Sequence, residues 1–292
     1  IVVADGTMGK EYRIATASDF EKIKNNPSSH FVLENDLTIT AHETFGNFSG
    51  SLSGVTNDTI NGQLVESKPR KLNLTITGFA SQTDNRYLGL FAKMVNEAKL
   101  SNLVLNVKFD ENLVIGSDTN ETNLYIGGVA GQIENGAQIT NVEITTDFSN
   151  ITLAKDNIAT DVLLGGVAGE MACAFDVASS RVTTKGNIAT SVDNKILRIG
   201  GVAGRLSGAG SIKGNYTKPS EIENLTYNVG LSLTFVNATT DGDIPVNNIN
   251  IGGVVGELET RAIVDGVILM GQIDAQNLTA NGGLAGVAGK VN

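Results

Sequence analysis

The sequence predicts an all-β fold, a parallel β-solenoid made of stacked repeats. One glycine-rich phrase recurs six times, and a second phrase with strand-like alternation follows it. Composition agrees: 34 Gly stand against only 4 Pro, so the glycine is neither collagen nor linker glycine. There is no Trp and only 5 % aromatic residues, which leaves Val, Ile, Leu and Ala to build the core. β-branched residues mixed with Gly and Asn suit short strands joined by tight turns.

The first phrase reads Tyr-Leu-Gly-Leu-Phe-Ala-Lys-Met at 87–94, Ile-Gly-Gly-Val-Ala-Gly-Gln-Ile at 126–133 and Leu-Gly-Gly-Val-Ala-Gly-Glu-Met at 164–171. It returns as Ile-Gly-Gly-Val-Ala-Gly-Arg-Leu at 199–206, Ile-Gly-Gly-Val-Val-Gly-Glu-Leu at 251–258 and Leu-Ala-Gly-Val-Ala-Gly-Lys-Val at 284–291. Gly89, Gly128, Gly166, Gly201, Gly253 and Gly286 align at spacings of 39, 38, 35, 52 and 33. Stacked coils absorb such irregularity in loops. In a stack, small residues let coils approach closely and turn corners. Val129, Val167, Val202 and Val254 are expected to form an internal ladder.

The second phrase is clearest at 98–107 and 137–144, with weaker copies at 178–182, 221–225 and 262–267. Ile139, Val142 and Ile144 are candidate core residues. The step from Ile139 to Val142 breaks strict alternation and predicts a bend or bulge at Asn141. Asn102, Asn141 and Asn224 are expected to form a polar ladder at that turn, where Asn tolerates left-handed backbone angles.

Residues 1–86 lack the Gly-Gly phrase and read as an N-terminal cap with the first coils; 87–292 read as one continuous repeat domain. Ser18-Asp19-Phe20-Glu21 has the pattern of a capping box. It predicts a short capping helix from about Asp19 to Asn25, with Phe20 and Ile23 on one face, stopped by Asn26-Pro27. Strands follow at 31–33 and 37–40. Such a helix would cover the exposed end of the stack. The last copy runs to Val291 without a cap, which suggests either truncation or continuation into another module or partner.

Charge and composition narrow the function classes. The formal net charge is −10, and the densest basic cluster, Lys68, Arg70 and Lys71, is small. Nucleic acid is therefore not an expected partner, nor is an anionic membrane surface. No apolar run approaches the ~20 residues that span a bilayer. The single Cys173 excludes an internal disulfide.

Chemistry is sparse. His30 and His42 stand twelve residues apart without the company a zinc site requires. Cys173, between Ala172 and Ala174, reads as a buried thiol. Gly200–Gly204 superficially resembles a phosphate loop, but no Gly-Lys-Ser/Thr follows and the phrase recurs along the chain. Asp110, Glu111, Glu143, Asp147 and Asp265 are scattered carboxylates, with no marked pair of the kind a glycoside hydrolase uses. Asp241-Gly242-Asp243 lacks the full calcium-loop signature. No cofactor or metal is expected. Asn-x-Ser/Thr sequons begin at Asn47, Asn57, Asn73, Asn120, Asn150, Asn215, Asn224, Asn237 and Asn277.

Several segments together resemble a known bacterial arrangement: Phe48-Ser49-Gly50-Ser51-Leu52-Ser53-Gly54, Ile60-Asn61-Gly62, Leu88-Gly89-Leu90-Phe91 and Leu100-Ser101-Asn102-Leu103. The lead-in from Tyr12-Arg13-Ile14 through Phe31 to Leu37 shares the likeness. The resemblance is to the region preceding the protease in streptococcal IgA-peptidase-type surface proteins, and to the related GLUG-motif repeats of surface adhesins. It covers the chain from about residue 11 onward. The chain departs from the family at 52–57, where Asp-Gly-Asn-Gly is usual. The resemblance implies a right-handed β-helix, an extracellular, cell-surface or wall-attached location, and a role in adhesion or as a spacer. It implies no catalysis, since His-Glu-x-x-His is absent.

The expectation is a non-catalytic module that binds a host or neighbouring-cell glycan or protein, or acts as a rigid spacer, joined to further domains of its parent chain. A filament subunit and a carbohydrate-active enzyme are the alternatives. The contact surface is expected on the long insertion from Thr217 to Asn248 and its flanks, with Tyr216, Lys218, Tyr227, Asp241 and Asp243 as candidate ligand-binding residues.

Overall fold

Every glycine-rich phrase folds as strand, bend, strand. The strands before the bend are Tyr87–Leu88, Leu124–Gly127, Asp161–Gly165, Ile196–Gly200, Asn247–Gly252 and Asn281–Ala285, and they form a six-stranded parallel sheet. The strands after it are Phe91–Met94, Ala130–Ile133, Ala168–Met171, Ala203–Leu206, Val255–Leu258 and Ala288–Val291. With Asn47–Phe48 these make a seven-stranded parallel sheet. The computed structural model describes residues 5–54, 57–60, 63–66, 68–77, 87–110, 114–115, 123–148, 151–153, 161–176, 180–190, 196–213, 227–235, 247–265, 267, 269–276 and 281–292. The chain is all-β with parallel sheets and little helix.

The pairing register repeats the alignment of the phrases. Leu88, Ile126, Leu164, Ile199, Ile251 and Leu284 occupy one row across the six strands. The valine ladder is present. The amide of Val129 donates to the Val167 carbonyl at 2.9 Å, Val167 to Val202 at 2.8 Å, and Val202 to Val254 at 2.9 Å. All four side chains are fully buried.

The second phrases form the third and largest sheet, of fifteen strands. Lys99–Phe109 and Gln138–Asp147 run its full width and pair residue for residue, except across Asn102 and Asn141. Both asparagines have φ of 53°, and the Asn141 side-chain amide donates to Asn102 Oδ1 at 2.8 Å. The predicted bend is therefore a left-handed one shared by two coils and tied by an amide ladder. Asn224 lies outside the described residues. Ile139, Val142 and Ile144 are buried in the core, as expected.

Glycine serves close approach here. Thr146 and Thr184, buried on neighbouring long strands, donate to the carbonyls of Gly166 and Gly201 at 2.6 and 2.5 Å. A β-carbon on Gly128 would collide with the Thr146 hydroxyl, and one on Gly166 with that of Thr184. A second glycine set lies in the strands that follow the bend. A β-carbon on Gly169 would sit 2.6 Å from the Ile126 nitrogen, and one on Gly204 2.5 Å from the Leu164 nitrogen. Gly131, Gly256 and Gly289 stand in the same relation to the preceding coil. The six- and seven-stranded sheets thus lie backbone against backbone, and most residues of their inner strands are buried, whereas the last coil leaves Leu284 and Val291 exposed.

At the N-terminus Ser18–Phe20 form a 3-10 turn that runs into the α-helix Glu21–Asn25. Phe20 and Ile23 are fully buried, and Phe20 meets Phe45 edge-on at 4.8 Å. The capping box is not formed: neither segment has a side-chain cap bond. The Asp19 carboxylate instead takes the backbone N–H groups of Ala15 and Thr16 and the Thr16 hydroxyl. A carboxylate so placed closes the turn before the helix, which relieves Ser18 of the capping role. His30–Leu33 and Leu37–Ala41 are the expected strands.

Two features depart from the sequence reading. Asn57–Ile60 and Gln63–Glu66 pair antiparallel, a small hairpin in a largely parallel structure. The sequence Asn61-Gly62 between them is a strong two-residue turn signal. The long insertion is not a loop throughout. Tyr227–Phe235 is a strand of the large sheet, paired in parallel with Arg181–Thr190 on one side and Leu269–Gln276 on the other.

Candidate functional site

The seam between the two glycine-bearing sheets holds a row of polar residues. In the seven-stranded sheet, Lys93, Gln132, Glu170, Arg205, Glu257 and Lys290 occupy successive positions of one row. Facing it, the six-stranded sheet presents Tyr87, Tyr125, Leu163, Arg198 and Asn250. Lys93 Nζ lies 4.3 Å from the centroid of Tyr87, which stacks on Tyr125 at 4.8 Å. Gln132 donates to Glu170 at 3.1 Å, and Arg205 Nη2 lies 3.0 Å from the same carboxylate. Burial would lower the Arg205 pKa, but the neighbouring Glu170 outweighs it and the guanidinium stays above its ordinary value.

Farther along, Arg198 Nε donates to Glu257, and Arg198 Nη1 lies 3.0 Å from Asp161. Glu257 also takes the Lys290 ammonium at 3.2 Å and the Asn292 amide at 2.6 Å. Burial pushes the Glu257 carboxyl upward, but the Asn292 amide and then Arg198 and Lys290 outweigh it and hold the carboxyl below its ordinary value. Four cations (Lys93, Arg198, Arg205, Lys290) meet four anions (Asp161, Glu170, Glu257, Glu259), so the seam is close to neutral. Arg198, Arg205 and Lys290 are engaged with the four anions, and Lys93 lies over the Tyr87 ring.

The seam was missed in the sequence, although its signal was in view. It is the position directly after Val-Ala-Gly (Val-Val-Gly in the copy at 251–258), where the copies carry Gln, Glu, Arg, Glu and Lys while the residue that follows stays apolar.

With two sheets closed against each other, the outer face of the large sheet is the broad surface left to solvent among the described residues. One row there is Thr38, Asn73, Asn106, Thr145, Thr183 and Asn228. The next is Thr40, Thr75, Lys108, Asp147 and Lys185, and a third is Lys71, Val104, Glu143 and Arg181. Residues of these rows up to Lys185 are exposed or half-buried. Asn106 donates to Asn73 Oδ1 at 2.8 Å, Asn73 donates to Thr38 at 3.3 Å, and Lys185 pairs with Asp147 at 3.2 Å.

Of the candidate binding residues, Tyr216, Lys218, Asp241 and Asp243 lie outside the described residues. Tyr227 opens the inserted strand of the large sheet. Among the scattered carboxylates, Glu143 and Asp147 belong to the outer rows just described and Asp265 ends the strand Ile263–Asp265. Glu111 lies outside the described residues.

His30 Nδ1 shares a hydrogen bond with the Ser51 hydroxyl at 2.7 Å, and His42 Nδ1 with Thr77 at 2.7 Å. Among the described residues no three His, Cys, Asp or Glu side chains gather as a metal site, and no helix is long and apolar enough to cross a membrane.

Cys173 is fully buried, and burial pushes its thiol up to about 12. It is therefore protonated at neutral pH and shielded from reagents. A disulfide-exchange reagent at pH 8 is expected to leave the native thiol unmodified and to titrate one thiol after denaturation. Rapid modification of the native protein would contradict that placement.

No family model, curated protein or solved structure matches this chain.

Proposed function

We propose that this chain is a right-handed parallel β-helix from the outside of a cell, a non-catalytic surface module that binds a glycan or protein of a host or neighbouring cell on a stiff stack. The likeness of its phrases to GLUG-motif adhesin repeats supports that reading. So does the pairing of equivalent positions in successive copies, which is how a solenoid grows. The short N-terminal helix, with Phe20 and Ile23 buried, serves as the cap of the stack. The observation that carries the binding role is the division of surfaces: two sheets are consumed by their mutual seam, while the third offers a broad polar face. A spacer has no need of such a face, though a stack this regular would also hold neighbouring domains apart.

The test is capture on an array of glycans and host proteins. The full chain is compared with a variant carrying Tyr216→Ala, Lys218→Ala, Asp241→Ala and Asp243→Ala. Deleting 217–248 would be uninformative, because it removes a strand that pairs on both sides. Specific capture is expected. Loss in the variant would place the contact on the insertion, and retention would move it to the sheet. No capture by the intact chain would overturn the binding role in favour of the spacer.

A further inference from the structure

We propose that the last coil is a docking edge for one more coil, a strand–bend–strand segment of a partner polypeptide that carries a carboxylate directly after its own Val-Ala-Gly. This rests on the stacking of the coils and not on the binding role proposed above, so either can fail alone. The strands of this end, Ile263–Asp265, Leu269–Gln276, Asn281–Ala285 and Ala288–Val291, each pair on one side only among the described residues. Positions buried in the preceding coils surface here. Ile126, Leu164, Ile199 and Ile251 are fully buried, whereas Leu284 in the same row is 55 % exposed. The valine ladder runs from Val129 to the Val287 carbonyl, and Val287 is 47 % exposed. Such an edge is a template for strand pairing. The other end differs: Phe20, Ile23, Phe45 and Phe48 are buried there. A second copy stacked head to tail would bring its helix, not an open coil, to this edge.

The rows state the form and charge of the occupant. A β-carbon on Gly128 would lie 2.6 Å from the Gly166 carbonyl oxygen, and one on Gly166 2.3 Å from that of Gly201, because the backbone of the next coil passes there. Nothing lies within 4 Å of one built on Gly286, so the last coil keeps the glycine without the neighbour it serves elsewhere. The inner cations of the seam take an acid from both sides. Arg205 meets Glu170 of the preceding coil at 3.0 Å and Glu259 of the following one at 3.6 Å. Arg198 meets Asp161 of the preceding coil at 3.0 Å and Glu257 of the following one. Lys290 has Glu257 of the preceding coil at 3.2 Å, has no acid on its other side among the described residues, and is 45 % exposed. A carboxylate at the equivalent position of the occupant completes the pattern, which fixes its register and its sign.

The experiment titrates the full chain with a synthetic peptide of residues 161–176 under reducing conditions. That peptide carries the phrase with Glu170 after Val-Ala-Gly. The same peptide with Glu170→Lys is the matched control, and a Gly286→Ala variant of the full chain is run beside the wild type. The formal charge of −10 would by itself favour the lysine peptide, so the opposite preference reports the site. The glutamate peptide is expected to bind roughly tenfold more tightly than the lysine peptide, and the variant to lose roughly tenfold while its melting temperature is unchanged. Binding should also raise hydrogen-exchange protection in Asn281–Ala285 and Ala288–Val291. Equal binding of the two peptides overturns the proposal, as does full binding by Gly286→Ala or no saturable binding. Self-association of the wild type that Gly286→Ala abolishes, read by sedimentation velocity, overturns it too, because the occupant would then be a second copy. Peptide docking without capture on the array leaves this edge standing and removes the binding role.

Discussion

Gly169→Val is expected to destabilise the fold by about 3 kcal/mol or more, at the upper end of what overpacking costs. The reason lies in what surrounds the glycine. A β-carbon there would meet the Ile126 nitrogen at 2.6 Å, the Leu163 carbonyl at 2.7 Å and the Tyr125 Cα at 2.8 Å. All three are backbone atoms in paired strands, so no flexible side chain can give way. Relief requires the two sheets to separate along the seam, and that loosens the neighbouring coils as well. Gly286 is the control. It occupies the equivalent of Gly253 in the last phrase, and nothing lies within 4 Å of a β-carbon built on it. Gly286→Ala should change stability by no more than about 0.5 kcal/mol. Urea unfolding of both variants decides the matter. Similar midpoints for the two would show that the sheets do not touch as described.

The second large effect is expected at Glu257. Its carboxylate is 3 % exposed and holds Arg198, Lys290 and Asn292. Arg198 is itself 7 % exposed and would keep only Asp161. Removing one partner of a buried ion pair costs about 3–5 kcal/mol, because the other charge stays buried. Glu257→Ala should fall in that range by chemical denaturation. Replacing Arg198 and Glu257 together by Met and Leu should cost less than the single change. A double variant no better than the single one would show that packing, not charge, explains the loss.

The pH dependence of this site has a definite sign. The folded carboxyl of Glu257 titrates below its ordinary value of 4.5. The stability it contributes is therefore fully present above about that value, and is lost as pH falls through the lower folded value. The wild type should lose stability over that acidic window, and Glu257→Gln should lose less across the same range. Parallel pH profiles for the two proteins would remove Glu257 from the account.

The fold was legible where one residue type does one job. Valine at a fixed place after Gly-Gly gave the ladder, and Asn102 and Asn141 gave the bend, because few other residues adopt φ near 53° without strain. Other features depended on what lies across space. Asp19 displaced the expected capping box by reaching back to Ala15 and Thr16, a local alternative that a pattern of residue types does not distinguish. The strand Tyr227–Phe235 carries no copy of the glycine phrase, and it pairs with residues about forty positions away on either side, so the local pattern does not mark it as part of the sheet. The seam was hidden for a related reason. Its charges come from different copies, and only stacking brings them together.

That varying position bears on how the chain finds its fold. Copies reading Ile-Gly-Gly-Val-Ala-Gly are nearly interchangeable, so a coil could settle on the wrong neighbour with its apolar residues still matched. The charges tell the neighbours apart. A chain that left out the coil containing Arg205 would bring Glu170 beside Glu257, and one that left out the coil containing Glu257 would bring Arg205 beside Lys290. Like charges would then meet, and for the buried pair Glu170 and Glu257 the repulsion would be strong. The glycine phrase makes the coils alike enough to stack, and the one residue that follows it keeps their order.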